Sequence, residues 1–598
     1  MSESISKNIM KFIKCLFGSL MAAAMCGCAG GPVVIDLADY GVMPDTGENS
    51  SPVMAEALRR LASELESERQ VVIRLREGRY DFYPEGASSR VYYISNHDQD
   101  NPKSVAIALE NLRNVTFDGN GAELVMHGRM LPLAVVDGQD CSLRDFSIDF
   151  ANPHISQVTV LENDTVGGYI TYSPAPWVEY EIRDSVFVAK GPGWEHVPCA
   201  GIAFDGATRH LVYRTSDIAV GVRPVEEIAP GQIRARWDDP RLLPGTVVAM
   251  RTYGRPAPGI FLDNDRNTVI NNVTVHYAEG MGLLAQMSEN IDLDGFNVCL
   301  RGDDDPRYFT TQADASHFSG CKGRINSTEG LYEGMMDDAI NVHGTYLKIE
   351  QKVDSVTVVA RYMHPQTYGF RWGEPGDTVQ ILSAQTMDIA DSLNIVESIA
   401  PYRSDSLPGA KEFVIRLRHV LPDSVGPDRG TFGIENLTWT PQVTFADNIV
   451  RNNRARGALF STPRKVMVEN NLFDHTSGTG ILLCGDCNGW FETGSCRDVT
   501  IRKNRFVNAL TNMFQFTNAV ISIYPEIPDL SNQKGYFHSG IVIADNEFDT
   551  FDAPLLYAKS VDGLVFENNV VRHNSDFAPF HWNRDTVLTE RVVNARLR

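Results

Sequence analysis

The sequence predicts an all-β protein, a right-handed parallel β-helix (a solenoid) with two inserted antiparallel β-barrel-like modules. Three features support this prediction. Short apolar segments recur and end in asparagine-rich turns, two long stretches lack those turns, and the segment after residue 30 has the pattern of a cap. At 598 residues the chain is too long for one ordinary compact domain, so an elongated repeat architecture fits its length.

The repeat is a β-type apolar run followed by asparagine or aspartate with glycine or a second asparagine. One strand–turn unit in roughly twenty residues is typical of a solenoid. Each coil stacks its inward side chains on the coil below, and asparagine tolerates the left-handed backbone of a tight turn. The instances lie at 115–120, 269–275, 291–296, 443–450, 466–471, 499–504, 541–546 and 564–569.

The N-terminal cap is predicted from a strand at 33–36, a helix at 51–66 and a second strand at 71–75. Ser51 is the expected N-cap of this helix, and Pro52 fits its first turn. Such a cap would cover the open edge of the first coil, which would otherwise pair with other chains.

The two stretches without asparagine turns carry longer alternating strands and many prolines, so we expect them to be inserted antiparallel modules. The predicted organisation is a signal peptide at 1–28, cap and first coils at 29–150, a β module at 151–258, central coils with an aspartate cluster at 259–345, a second β module at 346–443 and C-terminal coils at 444–598.

The formal charge of the chain is −22, with a pI of about 5.1. Nucleic-acid binding needs a basic footprint, so this balance argues against a nucleic-acid partner. It also argues against an anionic polysaccharide substrate unless a local basic patch or a bound cation intervenes. A neutral substrate fits the charge better.

The first thirty residues have the pattern of a secretion signal. Lys7, Lys11 and Lys14 precede an apolar run at 12–24 that is short for a membrane span, and Cys28 follows it. A small residue before a cysteine at this point resembles a bacterial lipobox. We therefore expect export and lipid anchoring at Cys28 to the cell envelope, in the outer membrane or periplasm, with simple signal cleavage as the alternative.

Seven cysteines remain after the signal, and an odd number cannot all pair within one chain. Cys484, Cys487 and Cys496 lie close together but lack a fourth ligand at zinc-site spacing. The sequence therefore predicts buried thiols or one disulfide here, and no metal.

The densest group of ionisable residues lies at 301–346, in the coils between the two modules. Asp314 and Asp337 are 23 residues apart, which matches one coil and predicts that they stand on neighbouring coils. Asp338 would face the other way in a regular strand, so it joins them only at a bend. Three such carboxyls can cleave a glycosidic bond when one protonates the leaving oxygen and another, about 6.5–9.5 Å away, activates water.

Two other uses of this trio remain open, because paired carboxylates also bind calcium or stand in solvated turns. His317 and His343 lie beside the trio in sequence, where they either contact substrate hydroxyls or pack. Arg307 is a candidate for substrate binding, with pairing to the neighbouring aspartates as the alternative.

A second candidate group, at 485–494, is predicted to be a loop on the solenoid face. Trp490 could stack on the apolar face of a galactose-like ring, and Asp486 or Glu492 could bind its hydroxyls. The alternative is that Trp490 packs against an inserted module.

These strings together resemble glycoside hydrolase family 110, the bacterial exo-acting α-1,3-galactosidases that remove terminal galactose from blood group B structures. The resemblance lies in Gln312-Ala-Asp-Ala-Ser-His-Phe318, Gly334-Met-Met-Asp-Asp-Ala-Ile-Asn-Val-His-Gly344 and the loop at 486–494, and it extends over nearly the whole mature chain. The Asp-Asp…His-Gly string alone is less specific, since the polygalacturonase family carries a comparable one.

The resemblance implies inversion at the anomeric carbon without a metal or other cofactor. It implies that Asp337 is the general acid and that Asp314 and Asp338 activate water. The partner would be an oligosaccharide or glycoconjugate ending in α-1,3-linked galactose, and some members of the family also accept linear Galα1-3Gal ends. The alternatives are a pectinase-like hydrolase or lyase, although the Arg-Ile-Lys clamp of polygalacturonases is not evident, and a non-catalytic glycan-binding solenoid.

Overall fold

The protein, in a computed structural model described over residues 31–64, 69–220, 224–237 and 239–598, is a parallel β-helix. The prediction of the fold class is confirmed. Cys28 and the signal segment lie outside the described residues. No helix within the described ranges combines the length and the apolar character that a membrane crossing requires.

The coils form three parallel sheets that run the length of the solenoid. The first contains strands Val33–Asp36, Val71–Arg74, Lys322–Thr328, Pro441–Ala446, Lys465–Glu469, Asp498–Arg502 and His538–Ala544. The second contains Arg79–Phe82, Leu331–Glu333, Ile449–Arg451, Leu472–Asp474, Arg505–Val507, Glu547–Thr550 and Val570–His573. The third contains Lys103–Glu110, Leu131–Val136, Ile260–Asp263, Leu283–Gln286, Ser316–Ser319, Ile340–Thr345, Ala458–Phe460, Ile481–Leu483 and Ile521–Ile523.

Six longer strands bend round a corner and belong to two sheets each. They are Val115–Met126, Ser142–Phe150, Arg266–Val275, Glu289–Val298, Leu556–Glu567 and Val587–Leu597. Two short strands, Ser88–Arg90 and Glu492–Thr493, pair antiparallel to the third sheet. The apolar side chains inside the three sheets form one continuous core along the solenoid.

The N-terminal cap contains the helix Ser51–Glu64 and the 3-10 turn Leu37–Tyr40, and a second 3-10 turn lies at Leu530–Asn532. Met54, Ala57, Leu58 and Leu61 of the helix join the core of the first coils. Ser51 is not the N-cap that the sequence suggested, because its hydroxyl donates to the Tyr83 carbonyl instead of accepting from the first turn.

Two modules leave the solenoid before and after its central coils. The first has the antiparallel strands Ser156–Asp164, Tyr169–Pro174, Glu179–Arg183, Val186–Gly191, Trp194–His196, Ala200–Phe204, Val225–Ala229, Gln232–Ala235 and Val247–Arg251, arranged as sheets of six and three. The second is a closed barrel of Leu347–Lys352, Thr357–Arg361, Thr378–Ser383, Ile389–Pro401, Glu412–Leu417 and Phe432–Asn436. Each module has its own apolar core.

An asparagine ladder joins the C-terminal coils, and it explains the repeat seen in the sequence. The backbone N–H of each asparagine donates to the side-chain oxygen of the asparagine one coil further on, at 2.9–3.0 Å, through Asn448, Asn471, Asn504, Asn546 and Asn569. The four asparagines whose N–H groups donate are buried. The side-chain oxygen of the next asparagine therefore satisfies a backbone N–H that water cannot reach. The seven cysteines of the described chain are all free thiols.

Replacement of Asn504 by alanine should destabilise the protein by about 1–3 kcal/mol, because it leaves the buried Asn471 N–H without an acceptor. Denaturant unfolding of Asn504→Ala against the wild type measures this loss. The control is Asn532→Ala, since Asn532 is exposed and bonds only to Asp529. Equal unfolding midpoints for Asn504→Ala and Asn532→Ala would contradict a structural role for the ladder.

Candidate active site

A cavity of about 300 Å³ lies on the outer face of the third sheet, between the two modules. The N-terminal coils, both modules and the C-terminal coils all contribute to its wall. The residues that line it are Asn96, Arg251, Tyr253, Arg255, Asp314, His317, Asp337, Asn341, Gln366, Arg454, Arg456, Leu459, Cys484, Asp486, Trp490, Glu492, Gln515 and Phe516.

The predicted aspartates converge at this cavity: Asp314 and Asp337 line it, and Asp338 lies buried beside them. One carboxylate oxygen from each of Asp314, Asp337 and Asp338 lies within 4.8 Å of the others. The predicted register is wrong, however. Ser316 pairs with Ile340, so this coil has 24 residues and Asp338, not Asp337, stacks on Asp314. The backbone bends between residues 336 and 339, before the strand begins, and this bend lets adjacent aspartates share one site.

Arg456 stands on the next coil in the same column. Ile340 pairs with Ala458, which aligns Arg456 with Asp338. The Arg456 Nε lies 2.9 Å from Asp338 Oδ1, and its Nη2 lies 3.0 Å from Asp338 Oδ2. Asp314, Asp338 and Arg456 therefore form a charged stack across three successive coils.

Asp337 is surrounded by positive charge. Its carboxylate lies 3.3 Å from Arg456, 3.5 Å from Arg454 and 3.6 Å from Arg255. Arg454 is also held by Asp217 of the first module, through contacts of 2.7 and 2.8 Å. These guanidinium groups are thus paired with carboxylates of the protein, so they do not form a binding site for a free anion.

The protonation of the trio follows from these neighbours. Burial would raise the pKa of the Asp337 carboxyl, but Arg456, Arg454 and Arg255 together lower it below its ordinary value. Burial and the charge of Asp337 raise the pKa of Asp314 to about 7. Burial also raises the pKa of Asp338, and the Arg456 guanidinium opposes that rise. In the unliganded protein Asp337 is therefore ionised, and Asp314 holds a proton up to neutral pH.

The separation of the carboxyl oxygens is shorter than the 6.5–9.5 Å expected for a water-activating pair, so distance alone does not select inversion. Three oxygens this close could also ligate a cation, but the guanidinium of Arg456 occupies the space beside Asp338 and repels one. The residues present do not favour a calcium site.

The two predicted histidines lie together but differ in their access to the cavity. His317 lines it, and its ring nitrogens bond to Asp314 Oδ2 at 2.7 Å and His343 Nε2 at 2.8 Å. His343 is buried behind His317 and does not line the cavity. The structure does not place His343 where it would contact substrate, because its ring contacts His317, the Gly344 carbonyl and, at 3.5 Å, the carboxylate of Glu492.

The loop at 485–494 does reach the cavity. Trp490 lines it and also stacks on His364 of the second module, with ring centroids 4.4 Å apart. Asp486 lines it too, but its carboxylate accepts the backbone N–H groups of Asn488, Gly489 and Trp490, so it holds the loop. Glu492 accepts from Asn96 Nδ2 at 3.3 Å and remains at the wall.

Arg307 is placed away from the cavity, which corrects its prediction as a substrate ligand. The Arg307 guanidinium donates to Asp149 at 2.7 Å and to Asp305 at 3.0 Å, and it is buried. These charge-assisted bonds hold the segment between the strands Glu289–Val298 and Ser316–Ser319 against the strand Ser142–Phe150, and Arg307 does not line the cavity.

Sequence reasoning missed the arginines and Asn341. Asn341 is buried, lines the cavity, and has no partner for its side-chain oxygen within the described part of the chain. Arg456 had a usable signal, because it occupies the next coil at the position of Asp338, and Arg454 lies two residues before it. Arg251 and Arg255 come from the end of the first module, where no repeat marks them.

Known proteins resemble this chain in both modules and along its whole length. Residues 156–248 match the GLAA-B beta-barrel domain I, and residues 357–428 match the GLAA-B beta-barrel domain II. An alpha-1,3-galactosidase B of Parabacteroides distasonis is 61% identical over 563 residues, which cover 94% of this chain and 92% of the relative.

Two further relatives carry the same name. That of Bacteroides fragilis is 58% identical over 597 residues, covering 99% of this chain and 100% of the relative. That of Phocaeicola vulgatus is 59% identical over 594 residues, covering 98% and 100%. With relatives this similar over nearly their entire length, the chain belongs to the alpha-1,3-galactosidase B family of glycoside hydrolases.

Proposed function

We propose that this protein is an exo-acting, inverting α-1,3-galactosidase of glycoside hydrolase family 110. Its substrates would be blood group B glycans and linear Galα1-3Gal ends, from which it removes the terminal galactose. The observation that carries the proposal is the aspartate trio in a chain of this family. Asp314 and Asp337 line the cavity, and the surroundings favour the protonated form of Asp314 and the ionised form of Asp337.

The shape of the cavity supports an exo mode of action. Arg255 at the exit of the first module, Gln366 of the second and Asn96 of the N-terminal coils all wall it, so it fits a chain end better than a polymer that runs through. The paired arginines support a neutral sugar, because a uronide would need an uncompensated positive charge.

Substrate contacts are proposed for the groups that face the cavity. Trp490 offers an aromatic surface to the sugar ring, and the unpartnered Asn341 oxygen can accept a hydrogen bond from a sugar hydroxyl. Glu492 remains a candidate for a second hydroxyl contact, whereas Asp486 acts by shaping the loop.

The roles within the trio follow the family resemblance, with one addition from the charges. Asp337 has the most exposed side chain of the three, 14% against 5% for Asp314 and 0% for Asp338, so it is placed to reach the leaving oxygen. It is ionised at rest, so it must first receive a proton, and Asp314 stores one within 4.8 Å. Transfer of that proton from Asp314 to Asp337 makes Asp337 the acid and Asp314 a base beside Asp338. Inversion itself rests on the resemblance.

The stereochemistry and the substrate range are tested together by proton NMR of the sugars during turnover. The fucosylated B trisaccharide and linear Galα1-3Gal, each with EDTA present, should release β-galactose first, because water attacks the face opposite the leaving group. Release from the branched sugar alone would narrow the substrate range. Early α-galactose would contradict inversion, and no galactose from folded protein would contradict the activity.

The acid role of Asp337 is tested by the quality of the leaving group. Asp337→Asn should lower kcat on the B trisaccharide by about 10²–10⁴-fold and much less on 4-nitrophenyl α-galactoside, whose leaving group needs little protonation. Asp314→Asn should lose both activities, because it removes the carboxyl that becomes the base, which is needed in either case. If Asp314→Asn, and not Asp337→Asn, retains the nitrophenyl activity, Asp314 is the donor and the assignment is wrong.

We also propose export and lipid anchoring through Cys28, from the signal pattern of the first thirty residues. The full chain should fractionate with bacterial membranes and incorporate a radiolabelled fatty acid, and Cys28→Ala should lose the label. A Cys26→Ala variant is the matched control, since it should keep the label. Labelling that persists in Cys28→Ala would contradict the assignment.

A further inference from the structure

A chain of hydrogen bonds runs from the Asp314 carboxyl into the protein. Asp314 Oδ2 lies 2.7 Å from His317 Nδ1, and His317 Nε2 lies 2.8 Å from His343 Nε2. His343 Nδ1 then lies 2.6 Å from the Gly344 carbonyl oxygen. Asp314, His317 and His343 are all buried, and the chain ends on a backbone group that cannot change its protonation.

When both imidazole rings are neutral, that carbonyl fixes the direction of every hydrogen bond in this series. A carbonyl oxygen only accepts, so His343 Nδ1 carries the hydrogen and, in the neutral ring, His343 Nε2 is the acceptor. His317 Nε2 must then donate to His343 Nε2. In a neutral His317 this leaves Nδ1 as an acceptor, so the hydrogen between His317 and Asp314 belongs to the Asp314 carboxyl.

The surroundings keep His317 neutral. Burial and the neighbouring His343 lower the pKa of His317 well below its usual range. The other ionisable groups that face it are Arg255, which also lowers this pKa, and Glu492 and Asp337, which raise it. His97 is a further neighbour, and burial lowers its own pKa as well.

We propose that His317 and His343 are positioning residues that present a hydrogen-bond acceptor to Asp314 and thereby keep a proton on that carboxyl in the resting protein. A bond to the neutral carboxyl favours that form, consistent with the pKa of about 7 for Asp314. The same acceptor makes ionised Asp314 a stronger base once its proton has moved to Asp337. The consequence for turnover rests on the proposed function, whereas the arrangement of protons does not.

The arrangement of protons is tested directly on the full chain by ¹⁵N NMR of ring-labelled histidine at about pH 6. His317 should be neutral with its hydrogen on Nε2, and His343 should carry a hydrogen on Nδ1, where it meets the Gly344 carbonyl. The signals are assigned by their loss in His317→Asn and His343→Asn. A hydrogen on His317 Nδ1, or a doubly protonated ring, would overturn the proposal whether or not the protein cleaves galactosides.

The effect on the reaction is tested by the pH dependence of kcat/KM, which reports the free enzyme. In the wild type it should fall as pH rises through about 7, because Asp314 loses its proton there. His343→Leu removes the acceptor for His317 Nε2–H, so His317 can turn a donor toward Asp314 and favour its ionised form. The basic limb should then move down by about one pH unit or more, with kcat reduced about tenfold or more and KM within about twofold.

His343→Gln provides an amide oxygen that can accept the same hydrogen bond. In this variant the basic limb of the pH profile should therefore lie at the wild-type pH. The matched control is His276→Leu, because His276 also bonds a backbone carbonyl through Nδ1, at 2.9 Å, but lies outside the cavity. An unshifted limb in folded His343→Leu would overturn the proposal. If His343→Leu does not fold, the proposal is decided by two other measurements. They are the NMR result in the wild type and the position of the basic limb of the pH profile in His343→Gln.

Discussion

The contact between Arg456 and Asp338 is the interaction on which the rest of the site depends. Three carboxyls within 4.8 Å of one another would repel strongly in a buried place, and the Arg456 guanidinium compensates two of them directly. Its position follows from the register of the third sheet, which stacks Asp314, Asp338 and Arg456 on successive coils. A one-residue slip of either coil would leave buried charge unpaired, so the regular fold and the charge pattern support each other.

The fold was predictable because its defining interaction is local and repeated. In the C-terminal coils an asparagine in one turn bonds the asparagine of the next coil, so the sequence shows an asparagine once per coil there. The modules interrupt the pattern visibly, so their presence could be predicted, but their strand order depends on contacts between distant segments. The helix cap was misassigned because the Ser51 hydroxyl found a partner on another strand, at Tyr83, which local sequence does not reveal.

The candidate site was only partly predictable. The membership of the trio could be proposed from the string around residues 314–338, but not its register, because coil length varies. The coil of 24 residues lies between one of 33 residues and one that carries the second module. Arg307 seemed a candidate because charged residues surround it, yet its true partners include Asp149, which is 158 residues away. Arg251 and Arg255 were missed for the same reason, since a cavity wall assembled from several distant regions of the chain has no signature in any one of them.

The modules join the solenoid at turns, while the trio and Arg456 lie on the coils themselves. This separates the parts that set the chemistry from those that set the shape of the cavity wall. A change in a module loop, such as the one that carries Gln366, alters what the cavity admits without disturbing the register that holds the carboxyls. Substrate range can therefore diverge during evolution through changes in the modules. The carboxyls and their protonation states depend on the coils and stay the same.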